Sequence, residues 1–330
     1  MSGAVNLADL PPPPEGRDGW PWTQGGAPLA PVRPDGSPWP RISIVTPSYN
    51  QGRFLEETIR SILLQGYHDL QYIVIDGAST DETLEVIRKY ERWIDHWVSE
   101  KDDGQADAIN KGLAHCTGEI FQFINSDDYL APGALKAVAE AVDGHDAVAG
   151  LVVDFDPEGG ETPYASRSLK PANFVNRPPG YCYHQPGVWL RTALVKALGG
   201  FEVRWRYKFD WVFQLRYSER WPRVAYIDDV LVHFRLHHSS KTVSESQGFW
   251  EEELVARELL YHSAVDRDLK AALAAFVRRR HWRARVDELA TASGLSRGAA
   301  ARKLCAETLR DPLRRIDRYS VGALKRLLVR

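Results

Sequence analysis

Between residues 41 and 130, apolar runs that read as buried strands alternate with segments whose apolar residues recur at helical spacing. This alternation constrains the fold more than any other feature. The strand runs are Arg41-Ile42-Ser43-Ile44-Val45-Thr46, Tyr72-Ile73-Val74-Ile75, Trp97-Val98-Ser99 and Glu119-Ile120-Phe121-Gln122-Phe123-Ile124. Phe54, Leu55, Ile59, Ile62 and Leu63 mark the first connecting helix, and Leu84, Val86 and Ile87 the second. Such a βαβαβαβ order predicts an α/β fold, a mostly parallel Rossmann-like sheet flanked by helices, with right-handed crossovers that bring the strand C-termini to one edge. Ligands of open α/β sheets bind beyond that edge, so the residues at each tip carry information about function.

Acids stand at three of the tips. Asn125-Ser126-Asp127-Asp128 follows one strand, Asp76-Gly77 another, and Asp102-Asp103-Gly104 a third; the first strand ends in Pro47-Ser48-Tyr49-Asn50, a polar turn with an aromatic ring suited to a flat base. Each tip alone reads equally well as a turn or a helix cap. Recurrence at one edge favours a site for a metal and a phosphate, because hard cations take carboxylate oxygens. A G-x-G-x-x-G fingerprint is missing after the first strand, which argues against a nicotinamide enzyme.

Four stretches in this order, Thr46-Pro47-Ser48-Tyr49-Asn50-Gln51, Asp76-Gly77-Ala78-Ser79-Thr80-Asp81, Asp102 through Gly112 and Ser126-Asp127-Asp128, resemble a family 2 glycosyltransferase. The likeness runs from residue 41 to about 242. It implies an inverting, non-processive bacterial enzyme with the A-type nucleotide-sugar-binding fold. It implies further that Asp76 accepts the ring N–H of a uracil or thymine base, with Tyr49 beside that base. Pro47, Asp103, Gln105, Asp107 and Asp127 then line the donor, Asp127 on the ribose or sugar, while Asp128 binds Mn²⁺ or Mg²⁺. A late histidine adds to the metal; His237 fits best, with His238 next to it, and Lys241 and Arg235 serve the diphosphate. Asp210 resembles the catalytic base that takes the acceptor's proton. Two positions depart from the pattern: Ile109 replaces a frequent basic residue, and Phe209 replaces one acid of a frequent Glu-Asp pair. Processive members carry Gln-x-x-Arg-Trp, whereas Tyr217 stands before Arg220-Trp221 here.

The second half should supply the acceptor pocket. Tyr181-Cys182-Tyr183-His184-Gln185-Pro186-Gly187-Val188-Trp189 is dense in flat faces that suit sugar rings, and His184, Trp189 and Trp211 are the acceptor-side candidates. Aromatic density equally marks a core.

Composition bounds the rest. A chain of 330 residues, 44% of them apolar, can bury a catalytic domain and one appendage. The divisions read as a Pro-rich extended arm over 1–40, in which Trp20 and Trp22 dock on the domain or a partner, and a catalytic domain over 41–244. The latter comprises a nucleotide-sugar half (41–150) and an acceptor half (151–244), with a basic helical region over 245–330. Cys116, Cys182 and Cys305 show no disulfide framework, which suits a reducing cytoplasm. No apolar run is long enough to cross a membrane. Residues 278–330 carry 15 Lys and Arg against 5 Asp and Glu, and Leu324, Leu327 and Leu328 lie at helical spacing beside them. That tail suits a solvated face, a homo-oligomer contact or the inner face of a membrane. Nucleic acid is disfavoured by the catalytic motifs. The expected activity is transfer of a sugar from a nucleoside diphosphate to a hydroxyl of a glycan or lipid-linked acceptor, in cell-surface polysaccharide synthesis. A non-catalytic glycan binder and a nucleotidyltransferase are the other readings.

Overall fold

In a computed structural model the described residues are 3–238, 240, 246–291, 296–310 and 318–328. They form two compact units, residues 1–253 and 254–330. The first begins with β1 (Ile42–Ser48), α1 (Gly52–Leu63), β2 (Leu70–Asp76), α2 (Thr83–Tyr90), β3 (His96–Ser99), α3 (Gln105–His115) and β4 (Ile120–Phe123). This is the predicted alternation. Strands β3, β2, β1 and β4 are parallel neighbours in that spatial order.

The sheet continues through a second half in which directions mix. β5 (Tyr129–Leu130), α4 (Ala134–Ala141), β6 (Ala147–Phe155), β7 (Glu161–Ala165), α5 (Pro171–Asn176), β8 (Val188–Arg191), α6 (Thr192–Leu198), α7 (Phe209–Arg220) and β9 (Val224–Arg235) follow in the chain. β8 runs antiparallel between β4 and β6, and β6 pairs in parallel with β9. The half built from the βα repeats is therefore all parallel, the second half mixes parallel and antiparallel pairs, and β8 reverses direction as it joins the two.

Burial on both sheet faces explains why the first strands are near-continuous apolar runs: all seven residues of β1 are buried. α3 lies especially close to β1, since a Cβ on Gly112 would approach Val45 Cγ2 to 2.8 Å and overlap its Cγ1. Gly112→Val is therefore expected to destabilise the protein by about 1–3 kcal/mol, as overpacking generally does. Unchanged stability in urea denaturation would mean that α3 sits farther from β1.

The Pro-rich arm is bound to this unit. Trp22 and Trp39 are buried, and the Trp20 indole N–H donates to the Leu130 carbonyl at 2.8 Å. Arg60 of α1 is fully buried beneath the arm; its guanidinium donates to the carbonyls of Pro11, Pro21 and Trp22 at 2.8–3.0 Å and to the Tyr90 hydroxyl at 3.0 Å. The arm is thus part of the domain and not a free extension.

α8 (Ser246–Ser263) starts in the first unit, whose boundary at 253 lies inside the helix. The second unit contains α9 (Arg267–Thr291), α10 (Arg297–Arg310) and α11 (Arg318–Leu328) around a core of Trp282, Val286, Leu304, Ala323 and Leu327. Of the leucines at helical spacing, Leu327 belongs to that core, Leu324 packs against it and Leu328 remains exposed. No helix among the described residues is long and apolar enough to cross a membrane.

Candidate active site

The parallel register sets Ser48 beside Asp76 and Asp76 beside Ser99, so three strand tips share one edge. Polar contacts stitch them together. Asn50 has a left-handed φ of +53°, a conformation asparagine tolerates; its N–H donates to Ser79 Oγ at 2.7 Å and its Oδ1 accepts the Thr80 N–H at 2.8 Å. Asp76 is fully buried, accepting the Ser79 N–H at 3.0 Å and the hydroxyls of Ser99, at 2.5 Å, and of Ser79. Its carboxylate organises the loop that follows β2.

Gly77, itself buried, is a point of close approach at this edge. A Cβ there would lie 2.7 Å from Asp102 Oδ2 and 3.3 Å from the Tyr49 ring, so the missing side chain lets an acid and an aromatic crowd together. Tyr49 is 64% exposed. Asp102, not Asp103, is the acid beside it. Asp103 faces solvent and its N–H donates to Asp107 Oδ2 at 3.2 Å, while Asp107 also pairs with Lys111 at 3.5 Å. Those two acids stabilise the start of α3. Pro47 is buried within β1 opposite Ile75.

α3 links the tips to their surroundings. The Gln105 side-chain amide donates to Asn125 Oδ1 at 2.7 Å, and Asn110 bonds both the N–H and the carbonyl of Phe201 at 2.8 and 2.7 Å. Ile109 is fully buried, so its departure from a basic residue fits a position that faces the core.

At the β4 tip the adjacent acids have different surroundings. Asp127 Oδ2 lies 3.0 Å from His237 Nε2, joining the tip to the segment after β9. Asp128 is 1% exposed; its Oδ1 accepts the Arg235 N–H at 3.0 Å and its Oδ2 accepts from the Asn125 amide at 3.1 Å. Burial, and then the charge of Asp127, hold its carboxyl well above the usual range. Arg235, expected on a diphosphate, is committed elsewhere: it pairs with Glu57 at 2.7 Å, donates to the Asp127 carbonyl at 3.0 Å and stacks over Phe54 and Phe155 at 4.8 and 4.6 Å. His238 is exposed, and Lys241 lies outside the described residues. Among the described residues no group of three or more His, Cys, Asp and Glu side chains gathers as a ready metal cage. A carboxylate and an imidazole in contact place one oxygen and one nitrogen donor side by side, a pair better matched to Mn²⁺ than to the oxygen-demanding Mg²⁺.

The acceptor-side expectations divide. His184 Nε2 lies 2.8 Å from Asp154 Oδ1 at the end of β6, and Phe234 meets its ring edge-on at 4.8 Å. Trp189, by contrast, is fully buried between β4 and β6, which removes it from any acceptor surface. Trp211 is also buried, packed on Phe174 with ring centres 6.2 Å apart. An exposed aromatic that the sequence reading passed over is Tyr164, 5.8 Å from the His184 ring. Asp154 was also missed, although it carries the same signal as the other acids, a carboxylate at the end of an apolar strand.

Asp210 occupies the first turn of α7. Burial lifts its pKa above the ordinary carboxylate value; Lys208, the N–H groups of Trp211 and of Asp210 itself, and His184 oppose that shift. The Tyr183 hydroxyl donates to the Asp210 carbonyl at 3.3 Å. Phe209, where a second acid is frequent, is a core residue 6.0 Å from Phe123 and 5.9 Å from Phe201.

A parallel half-sheet that delivers acids to one edge, completed by a mixed half that brings a histidine and a further acid, has the architecture of a nucleotide-sugar transferase. Residues 43–199 match the family described as glycosyl transferase family 2. An uncharacterized glycosyltransferase of Mycobacterium tuberculosis is 30% identical over 186 residues, 54% of this chain and 68% of that protein. A PGL/p-HBAD biosynthesis glycosyltransferase of Mycobacterium bovis is 30% identical over 192 residues, covering 54% and 69%. The crystal structure of S. aureus TarS 1–349 in complex with UDP-GlcNAc aligns with a TM-score of 0.60 at 19% identity, covering 87% of this chain and 89% of that one. The protein belongs to glycosyl transferase family 2, and it is a glycosyltransferase.

Proposed function

We propose that the enzyme transfers a sugar, with inversion, from a nucleoside diphosphate sugar to a hydroxyl of a cell-surface glycan or a lipid-linked precursor. The observation that carries this reading is the pairing of Asp127 with His237 at the strand tips, where Asp102 and the exposed Tyr49 also come together. Tyr49 lies against the base and Asp102 accepts from the base or ribose, while Asp76 shapes the pocket through Ser79 and Ser99. A base with a ring N–H, as in uracil or thymine, suits an acid at that place. TarS, which shares the fold, has been solved with UDP-GlcNAc and with UDP, which supports a UDP-sugar as the first donor to test.

Asp127 and His237 would hold Mn²⁺ or Mg²⁺, whose chemistry here is to neutralise the charge that gathers on a departing diphosphate. This moves the expected ligand from Asp128 to its neighbour, because Asp128 is buried and already bonded on both oxygens. Asp210 takes the acceptor hydroxyl's proton as that oxygen bonds to the anomeric carbon; the bond from carbon to the diphosphate oxygen breaks in the same displacement. One side reaction is thereby avoided, since no enzyme-bound sugar exists for water to hydrolyse.

Calorimetry separates the two acids. Asp127→Ala should weaken Mn²⁺-dependent UDP binding by at least tenfold, whereas Asp128→Asn should lower stability more than affinity. Unchanged UDP affinity in Asp127→Ala would reject it as ligand.

A further inference from the structure

The start of α8 is built into the turn that carries Asp210. Gly248 leaves room for the Tyr207 ring, which a Cβ at that position would overlap, and Phe249 lies 5.0 Å from the same ring. One turn later Glu252 meets three successive backbone N–H groups: Arg206 donates to Oε1 at 2.7 Å, and Tyr207 and Lys208 donate to Oε2 at 2.7 and 2.9 Å. Lys208 is the N-cap residue of α7 and has no side-chain cap of its own. Glu253, buried at 3% exposure, pairs with Lys208 Nζ at 3.0 Å and with Arg177 at 2.6 Å. Asp210 lies two residues beyond Lys208.

Consecutive N–H groups that converge on one anion form a nest, and bonds to a carboxylate are about twice as strong as neutral ones. Such a clamp fixes both the path of the 206–208 backbone and the angle at which α7 begins. We infer that Glu252 and Glu253 are positioning residues for sugar transfer, holding the first turn of α7 so that Asp210 meets the acceptor hydroxyl. The inference rests on Asp210 being the base. Neither glutamate needs to touch substrate. It gives the beginning of the C-terminal helical region a catalytic purpose that a purely appended domain lacks. The charged and titratable groups around Asp210 are Lys208 on its own loop and Tyr183 and His184 on the loop before β8, with Glu253 behind Lys208 and Asp154 behind His184.

The test uses the full chain with Glu252→Ala, Glu252→Gln and the charge-neutral Gly248→Val. Amide hydrogen exchange at 206–208 is compared with exchange in β1, and release of nucleoside diphosphate from a panel of UDP-, dTDP- and GDP-sugars, with water taking the sugar in place of the acceptor hydroxyl, gives kcat and KM. Glu252→Ala should exchange at least tenfold faster at 206–208 with β1 unchanged, and kcat should fall about 10- to 100-fold at constant donor KM, the scale of a misplaced catalytic group. Gly248→Val should act in the same direction. Glu252→Gln, which keeps an acceptor oxygen in the nest, should recover part of the rate. Unchanged exchange at 206–208, or faster exchange with full kcat, overturns the positioning role whatever Asp210 does. Turnover retained in Asp210→Asn, or a wild type that releases no diphosphate from any donor, overturns the reading beneath it, and the exchange data tell these failures apart.

Discussion

Asp210→Asn should leave nucleoside diphosphate binding intact and lower sugar transfer by roughly 10²- to 10⁴-fold, the usual contribution of a positioned general base. The amide keeps the size and the hydrogen-bonding reach of the carboxylate but cannot accept the proton. The pH profile follows from the environment of the group. Only the ionised carboxylate is a base, and burial raises its pKa above the ordinary value, so transfer should fail on the acid side at a higher pH than an exposed aspartate would give. Lys208 is the largest opposing influence; Lys208→Met should move that acid limb upward again. A profile that stays flat through the acid range, or an Asn variant with near-normal kcat, would transfer the role to another group. The His184–Asp154 pair is then the nearest candidate.

Arg60→Ala should destabilise the first unit by about 3–5 kcal/mol, near the upper end for single substitutions. The guanidinium is fully buried and donates to three arm carbonyls and the Tyr90 hydroxyl. Truncation leaves those acceptors facing a cavity and removes the stacking of Arg60 on Trp22 at 5.5 Å. The arm should then become accessible to protease, cleaving between Pro11 and Trp39 at concentrations that leave the wild type intact. Urea denaturation and limited proteolysis measure the two effects. A variant as stable and as resistant as wild type would show that the arm is held by its tryptophans alone.

The contrast between these two residues shows what a sequence can reveal. Asp210 drew notice because its neighbours form a recognisable segment, and its role as base is what Asp210→Asn tests; the β1–β4 alternation was legible because both faces of a parallel sheet are buried and leave continuous apolar runs. Arg60 gave no sign of its role. An arginine in an amphipathic helix reads as solvent-facing, and only the arm, distant in sequence, turns that face into an interior. Adjacent acids pose a subtler difficulty: Asp102 and Asp103, or Asp127 and Asp128, are interchangeable to a reader of composition, yet a single turn directs one toward the strand-tip edge and the other toward solvent or the core. Trp189 fails for a related reason. A tryptophan that stacks on a sugar and one that fills a sheet have the same sequence signature, and the distinction arises from β8 lying between β4 and β6. Glu252 could not have been found at all without the path of α8 past residues 206–208.

A nucleotide-sugar donor site at the strand-tip edge, completed by Asp127 and His237, would bind a nucleoside diphosphate only with a divalent cation. Calorimetric titration of UDP into wild type, Asp210→Asn and Asp127→Ala, each with Mn²⁺ and with chelator, tests it most directly. Mn²⁺-dependent binding should be seen in wild type and Asp210→Asn and be lost in Asp127→Ala; equal binding in all three proteins with chelator present would rule out such a site.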